Sequence, residues 1–281
     1  MSDRNLMVER EEGLATITMN RPEKRNALST AMMSEMIATL REIGAQKDAR
    51  AVIIAGAGPA FSAGHDLDEL KDRLLRMAGM AELSITRAVD AFRERDGAKC
   101  RLVFENEAAI NANEREIDEL ALDLLAMQQP MAVDLRFIVA VIKINADLER
   151  VGDQAVNIAE RVEQLLTLPA VDFPVDIPLM ATTAGTMIRM ALEAFVLGDA
   201  NLAERVLTMD DTVDRMNYEI ADVMIALMKK SPEVTEQAMD AIIIARNLER
   251  VGDHATNIAE DVIFWVRGAD VRHHLGGEAN H

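Results

Sequence analysis

From Leu70 onward apolar residues recur every three to four positions almost without a break, the period of a helix with one buried face. Leu70, Leu74, Met77, Leu83, Val89 and Phe92 mark a first helix over roughly 68–95, with Gly79 as a point of loosening and Gly97 as its end. Leu102, Ala109, Ile117, Leu120, Leu124 and Leu125 mark a second over about 98–127, closed by Gln128-Gln129-Pro130. A third runs from near Ala132 to about Leu166. Pro169, Pro174 and Pro178 then stiffen an extended linker. The helical period resumes over 179–197 and 201–229, with Gly198-Asp199 between. A last helix is opened by Ser231 as N-cap with Pro232 at its first position, and ends at Gly268. Each half reads as three helices with short connections. Neighbours must then run antiparallel, as two three-helix bundles related by a pseudo-twofold.

The first seventy residues follow a different period. Leu14 to Met19 is rich in β formers and pairs as a hairpin with Asn5 to Arg10 across Glu11-Glu12-Gly13. Ser29 or Thr30 caps a helix with Met32, Met33, Met36, Ile37 and Leu40 on one face. Ala51 to Ala55 reads as a buried strand, followed by a glycine-rich loop from Gly56 to Gly64. Pro59 removes an N–H from that loop and its spacing fits neither nucleotide fingerprint, so by pattern it is a turn. The expected organisation is an α/β segment over 1–68, a first bundle over 69–168, a linker over 169–178, a second bundle over 179–268 and a tail over 269–281. The fold class is mainly α.

One stretch is written twice, one hundred residues apart. Leu148 to Glu160 returns as Leu248 to Glu260, with differences only at Gln154/His254 and Val156/Thr256. On a helix, Leu148, Val151, Ala155, Ile158, Ala159 and Val162 share the inner face, and Glu149, Asp153, Asn157 and Glu160 lie opposite. Glu149 with Asp153, and Glu249 with Asp253, are four apart, where like charges repel. A hard cation held by oxygen ligands turns that repulsion into binding. The competing reading is a solvated acidic face balanced by Arg150 and Arg250. Further acidic pairs, Glu114 with Asp118 and Asp210 with Asp214, and the related Glu107 with Asn111, stand on the middle helices. If those helices adjoin the motif helices, four or more oxygens meet, enough for one or two cations. His254 points away from the stripe by helical angle, and His273, His274 and His281 in the tail read as solvated.

Charge and composition narrow the function classes. The net charge is −18, and residues 1–68, with eight Lys/Arg against ten Asp/Glu, carry only −2 of it. Such an acidic surface repels phosphate backbones and argues against nucleic-acid binding. Eighteen Met with one Trp and one Tyr suit helix packing. The single Cys100 excludes an internal disulfide framework and fits a reducing compartment. The charged opening, Met1 to Glu12, predicts no signal peptide, and no apolar run is long enough to span a bilayer. A cytoplasmic protein is expected.

Two resemblances become specific at particular residues. Ile17-Thr18-Met19-Asn20-Arg21-Pro22-Glu23-Lys24-Arg25-Asn26-Ala27-Leu28, with Ala60-Phe61-Ser62-Ala63-Gly64-His65-Asp66-Leu67, resembles the opening of the enoyl-CoA hydratase/isomerase (crotonase) family. That resemblance implies one arm of a thioester oxyanion hole at the Ala27 N–H, and a coenzyme A adenine contact at Ala63 to Leu67. It covers only about the first quarter of such a domain. The second oxyanion glycine and the catalytic glutamates, which come later in the family, have no counterpart here. Lys71-Asp72-Arg73-Leu74-Leu75-Arg76-Met77-Ala78-Gly79, Gln128-Gln129-Pro130 with Asp134-Leu135-Arg136, and both Leu-Glu-Arg-Val-Gly-Asp copies resemble the PhoU family of phosphate-uptake regulators, over about residues 69–272. The resemblance implies tandem three-helix bundles, often as a homodimer. It also implies a cytoplasmic adaptor, peripheral to membrane complexes, between a phosphate ABC transporter ATPase and its sensor histidine kinase, acting as a negative regulator of the phosphate-starvation response. It implies metal (Mg, Mn, Fe or Zn) at E/D-x-x-x-D pairs, here Glu149 with Asp153, Glu249 with Asp253, and Asp210 with Asp214. Asn111 stands where a further acid is expected in the first half.

Three functions follow. The first is a regulatory adaptor without catalysis. The second is a coenzyme A thioester-binding or enoyl-CoA hydratase/isomerase-like protein acting through the N-terminal segment. The third, a carboxylate–metal enzyme on the bundles, lacks a nucleophile or general base beside the acids.

Overall fold

The computed structural model describes residues 5–46, 49–62, 67–128 and 132–269. Gly64, His65 and Asp66 of the glycine-rich loop, Gln129 and Pro130 of the inter-helix break, and His273, His274 and His281 lie outside the described residues. The chain divides into two compact units, with the boundary between Lys71 and Asp72; Ala126–Gln128 group with the first unit.

In the first unit β1 (Leu6–Glu11) and β2 (Leu14–Met19) form the expected antiparallel hairpin. Glu12 and Gly13 both have positive φ, 45° and 83°, the geometry of a two-residue turn whose twist matches the strands. The chain then passes through α1 (Thr30–Gly44) and returns as β3 (Ala51–Gly56), parallel to β2, in the order β1-β2-β3. Of the two candidate caps it is the Ser29 side chain that accepts from Met32 N–H, at 3.3 Å. Leu6, Ala15, Ile17 and Met19 close on Met32 and Ile43 as the core of this unit. β3 departs from expectation. It is not a buried strand, because only β2 flanks it and the α1 core is built on β1 and β2; Val52, Ile53 and Ile54 remain 39%, 48% and 43% exposed.

The turn before α1 is tied to the loop after β3. Arg25 and Asn26 take left-handed conformations (φ 49° and 55°), which buries Asn26 completely. Its side chain accepts from Arg21 N–H at 2.9 Å and donates to Ala57 and Ala60 carbonyls, both at 2.8 Å. Gly56 sits beneath this clamp, where an added Cβ would lie 2.4 Å from the Phe61 carbonyl oxygen and 2.8 Å from Asn26 Nδ2.

The second unit is helical: α2 (Leu67–Glu94, whose first residues precede the boundary), α3 (Gly97–Gln128), α4 (Ala132–Thr167), α5 (Ile177–Leu197), α6 (Ala200–Leu207), α7 (Asp210–Lys230) and α8 (Thr235–Arg267). The inward residues read from the repeat, Leu148, Val151, Ala155, Ile158, Ala159 and Val162, are buried, as are Leu248, Val251, Ala255, Ile258, Ala259 and Val262. α4 and α8 pack along one another, with α5, α6 and α7 also against α8. Polar contacts stitch the first three helices. Asn106 Nδ2 donates to the Met80 carbonyl (3.0 Å) and Ser84 Oγ (2.7 Å), and Arg95 donates to the Leu165 and Leu168 carbonyls. Phe137, Phe195 and Trp265 meet with centroids 5.2–5.6 Å apart, joining α4, α5 and α8.

Three details differ from the helical pattern. α2 runs through Gly79 without loosening. The helix expected over 201–229 is two, α6 and α7, broken at Thr208–Met209, where the backbone tightens and Met209 N–H donates to the Val206 carbonyl three residues back at 2.9 Å. Ser231 makes no capping bond; Pro232–Val234 form a 3₁₀ turn and α8 starts at Thr235, whose Oγ1 bonds the Pro232 carbonyl at 2.7 Å. Between the halves, Asp176 caps α5 by accepting from Leu179 N–H, so Ile177 and Pro178 already belong to the helix.

Candidate metal centre

α7 and α8 are packed side by side, and Gly252 of α8 lies against Val213 of α7. A Cβ built on Gly252 would stand 3.4 Å from Val213 Cγ1, ordinary contact, so α7 approaches here as near as a side chain allows. The residues that follow each, Asp214 and Asp253, are thereby brought to face one another. Asp210, one turn earlier, is the first residue of α7. One carboxylate oxygen from each of Asp210, Asp214 and Asp253 falls within 4.8 Å of the other two.

Three carboxylates this close strain one another electrostatically. Burial pushes the Asp210 carboxyl up to about 6, helped by Asp214, Asp253 and Asp211. Asp253 is raised by burial and by Asp214, against the pull of His254 and Arg250. Glu249 is raised by burial, then by Asp253 and Asp214, so it stands at the edge of the same field without joining the close trio. The donor set is all oxygen and net negative, which suits a hard divalent or trivalent cation rather than a soft one. Asp210 and Asp211 both stand in the first turn of α7, the end of a helix where negative charge is best tolerated.

The first half is built alike but ends differently. Gly152 meets Ile110, whose Cδ1 would lie 3.0 Å from an added Cβ, and the residue after Ile110 is Asn111, where Asp214 follows Val213 in the second half. Glu149 is raised by burial and then by Asp153, Glu114 and Glu107. Among the described residues no group of three ligands at single-ion distances includes Glu149 or Asp153. Asp118 instead accepts from Asn145 Nδ2 at 2.9 Å, and Asn145 also donates to the Glu114 carbonyl. Of the six acids singled out in sequence, the structure gathers Asp210, Asp214 and Asp253, sets Glu249 beside them, and leaves Glu149 and Asp153 as a pair.

His254 lies off this centre. Its Nδ1 is 2.9 Å from Asp147 Oδ1, which also accepts from Asn257 Nδ2 at 3.2 Å. Helical angle places His254 off the stripe in the sequence, but does not supply its partner Asp147. The available signal was the substitution itself, because position 154/254 is one of the two at which the repeats differ.

The other candidate site is the turn at Ala27. The Ala27 N–H, one arm of the oxyanion hole implied by the crotonase resemblance, donates to the Lys24 carbonyl at 3.0 Å. Cys100 is fully buried, and burial pushes its thiol up to about 11, an inert state. No helix among the described residues is long and apolar enough to cross a membrane.

Comparison with known proteins agrees with both resemblances. The PhoU domain matches residues 74–162 and 177–262, and the enoyl-CoA hydratase/isomerase family matches residues 9–92. A Pseudomonas putida "phosphate-specific transport system accessory protein PhoU homolog" is 39% identical over 211 residues, 74% of this chain and 82% of that one. Its Pseudomonas aeruginosa counterpart is 38% identical, over 74% and 86%. The crystal structure of PhoU from Pseudomonas aeruginosa superposes with a TM-score of 0.70 at 37% identity, covering 72% of this chain and 98% of that chain. An enoyl-CoA hydratase structure from Mycobacterium tuberculosis is 43% identical over 24% of this chain and 30% of its own, with a TM-score of 0.24. With two domain matches in tandem over α2–α4 and α5–α8, and relatives aligned over most of their length, the chain belongs to the PhoU family.

Proposed function

We propose that this protein is a cytoplasmic, non-catalytic adaptor that damps phosphate-starvation signalling. In this reading it acts between the ATPase of a phosphate ABC transporter and a sensor histidine kinase, as a homodimer loaded with a hard metal ion. The observation that carries the reading is the alignment of 74% of the chain with relatives named as accessory to the phosphate-specific transport system. Metal binding is supported separately by the convergence of Asp210, Asp214 and Asp253, with Glu249 beside them. A bound cation would neutralise the carboxylates and tie α7 to α8, fixing the surface those helices offer to a partner. Nothing in this arrangement requires a nucleophile, and Cys100 is buried away from reaction. The coenzyme A reading is disfavoured, because the Ala27 N–H is already committed to the Lys24 carbonyl.

The test is genetic and biochemical. In a strain lacking this protein, phosphate-starvation reporters should fire in phosphate-rich medium, and the full chain should silence them. The chain should also co-purify with the transporter ATPase and the kinase. A reporter indifferent to the deletion, with neither partner recovered, refutes the adaptor role.

A further inference from the structure

The sheet of the first unit has two edges, and they are treated differently. β1 carries Glu9, Arg10 and Glu11, charges that discourage strand addition. β3 is Ala-Val-Ile-Ile-Ala-Gly, with no charge at all, and its first four residues are exposed. Pairing places Val52 beside Ala15 and Ile54 beside Ile17, on the face whose β2 residues are almost wholly buried, yet Val52 and Ile54 stay 39% and 43% exposed. The N–H groups of Ala51 and Ala57 point at β2, bonding the Gly13 and Met19 carbonyls. By strand alternation the backbone groups of Val52 and Ile54 therefore point to the free edge.

We propose that β3 is a self-association surface, pairing antiparallel with β3 of a second copy of this chain. Charge selects the second copy as occupant. Centred on Ile53, the pairing sets Val52 against Ile54 and Arg50 against Gly56, so identical strands meet with no like charges opposed. Elsewhere the chain repels its own kind, since residues 1–68 carry only −2 of the net −18. The joined strands make one six-stranded sheet with the exposed Val52 and Ile54 of both copies side by side on its inner face. Two six-residue strands bury less than a standard interface of about 1,600 Å², so the association is weak and concentration-dependent. It does not depend on the metal centre or on the adaptor role.

In this register Ile53 faces Ile53 of the second copy as a non-hydrogen-bonded pair, with Cα atoms roughly 4.5 Å apart, within disulfide range. The full-length Ile53→Cys protein has a single reactive thiol, because Cys100 is buried. Under mild oxidation it should dimerise roughly tenfold faster than Tyr218→Cys, an exposed control on α7, because pairing raises the local thiol concentration. Ile53 lies on the outer face at 48% exposure, so Ile53→Lys and Ile53→Glu spare the core. Each alone should lower the sedimentation-average mass at high micromolar concentration, and an equimolar mixture should restore it. Should Lys or Glu disturb the sheet, the Cys comparison still decides. Equal cross-linking rates at 53 and 218, or a mixture no heavier than its components, overturns the proposal.

Discussion

Replacing Asp210 by Asn removes one of three mutually repelling carboxylates while keeping its shape. Its carboxyl is raised from 3.8 to about 6, chiefly by burial, so the folded state holds the proton more tightly than the unfolded chain does. A carboxyl with a raised folded pKa favours folding while protonated, and that advantage is lost as pH climbs from about 4 to about 6. Two units at 1.36 kcal/mol each set an upper bound of about 3 kcal/mol at neutral pH. Water reaching a half-buried group reduces this to on the order of 1–2 kcal/mol. Asp210→Asn should therefore melt roughly 3–6 °C above wild type in chelator at pH 7.5, with the gap closing by about pH 4. Adding Mn²⁺ should reverse the order. At a hundredfold excess over its dissociation constant the cation adds about 2.7 kcal/mol to wild type, and the variant, short of one ligand, gains much less. The assay is a thermal melt in four conditions, two pH values with and without Mn²⁺. A variant that melts at or below wild type in chelator at pH 7.5, or that responds to Mn²⁺ as fully as wild type, refutes the reasoning.

Further expectations follow from the same geometry. Glu249→Gln with Asp253→Asn should abolish Mn²⁺-dependent stabilisation, whereas Glu149→Gln with Asp153→Asn should leave most of it, because Asn111 stands in the first half where Asp214 stands in the second; equal losses count against this asymmetry. Gly152→Ala should destabilise by about 1–2 kcal/mol in chemical denaturation, since its Cβ would crowd Ile110 Cδ1 at 3.0 Å. Gly252→Ala, meeting Val213 at an ordinary 3.4 Å, should be neutral or gain up to about 1 kcal/mol. The full chain should not hydrate a short 2-enoyl-CoA, and turnover that vanished on removing residues 1–68 would contradict the engaged Ala27 N–H.

What the sequence made legible was whatever depends on one helix at a time. The buried face of α8 follows from 3.6-residue spacing, and the Glu249–Asp253 pair from i,i+4 arithmetic. The acids from α7 needed only the assumption that neighbouring helices adjoin. What escaped depends on partners remote in the chain. β3 looked buried because Ala51 to Ala55 is apolar, but burial needs a covering element, and the core under α1 draws only on β1 and β2. The α6–α7 break at Thr208–Met209 leaves no mark in the spacing of the apolar positions. His254 was rightly separated from the acidic stripe, but its partner Asp147 lies on another helix, 107 residues away.

The seam between α4 and α8 carries a consequence for how a duplicated chain avoids mispairing. Lys143 bonds Asp261 at 2.9 Å, Arg161 approaches Asp240 at 3.8 Å, and Asp147 meets His254 at 2.9 Å. The basic Lys and Arg lie on the first copy and their acidic partners on the second. One hundred residues on, Lys143 corresponds to Ile243, Arg161 to Asp261, Asp147 to Asn247 and Gln154 to His254. Were the first halves of two molecules to dock through this seam, Lys143 would confront Arg161, and Asp147 would meet only an amide. Two second halves would leave Asp261 against an isoleucine. The seam thus works as a lock and key split between duplicates. It steers each half to its own tandem mate and discourages exchange of halves between molecules during folding, when both surfaces are bare.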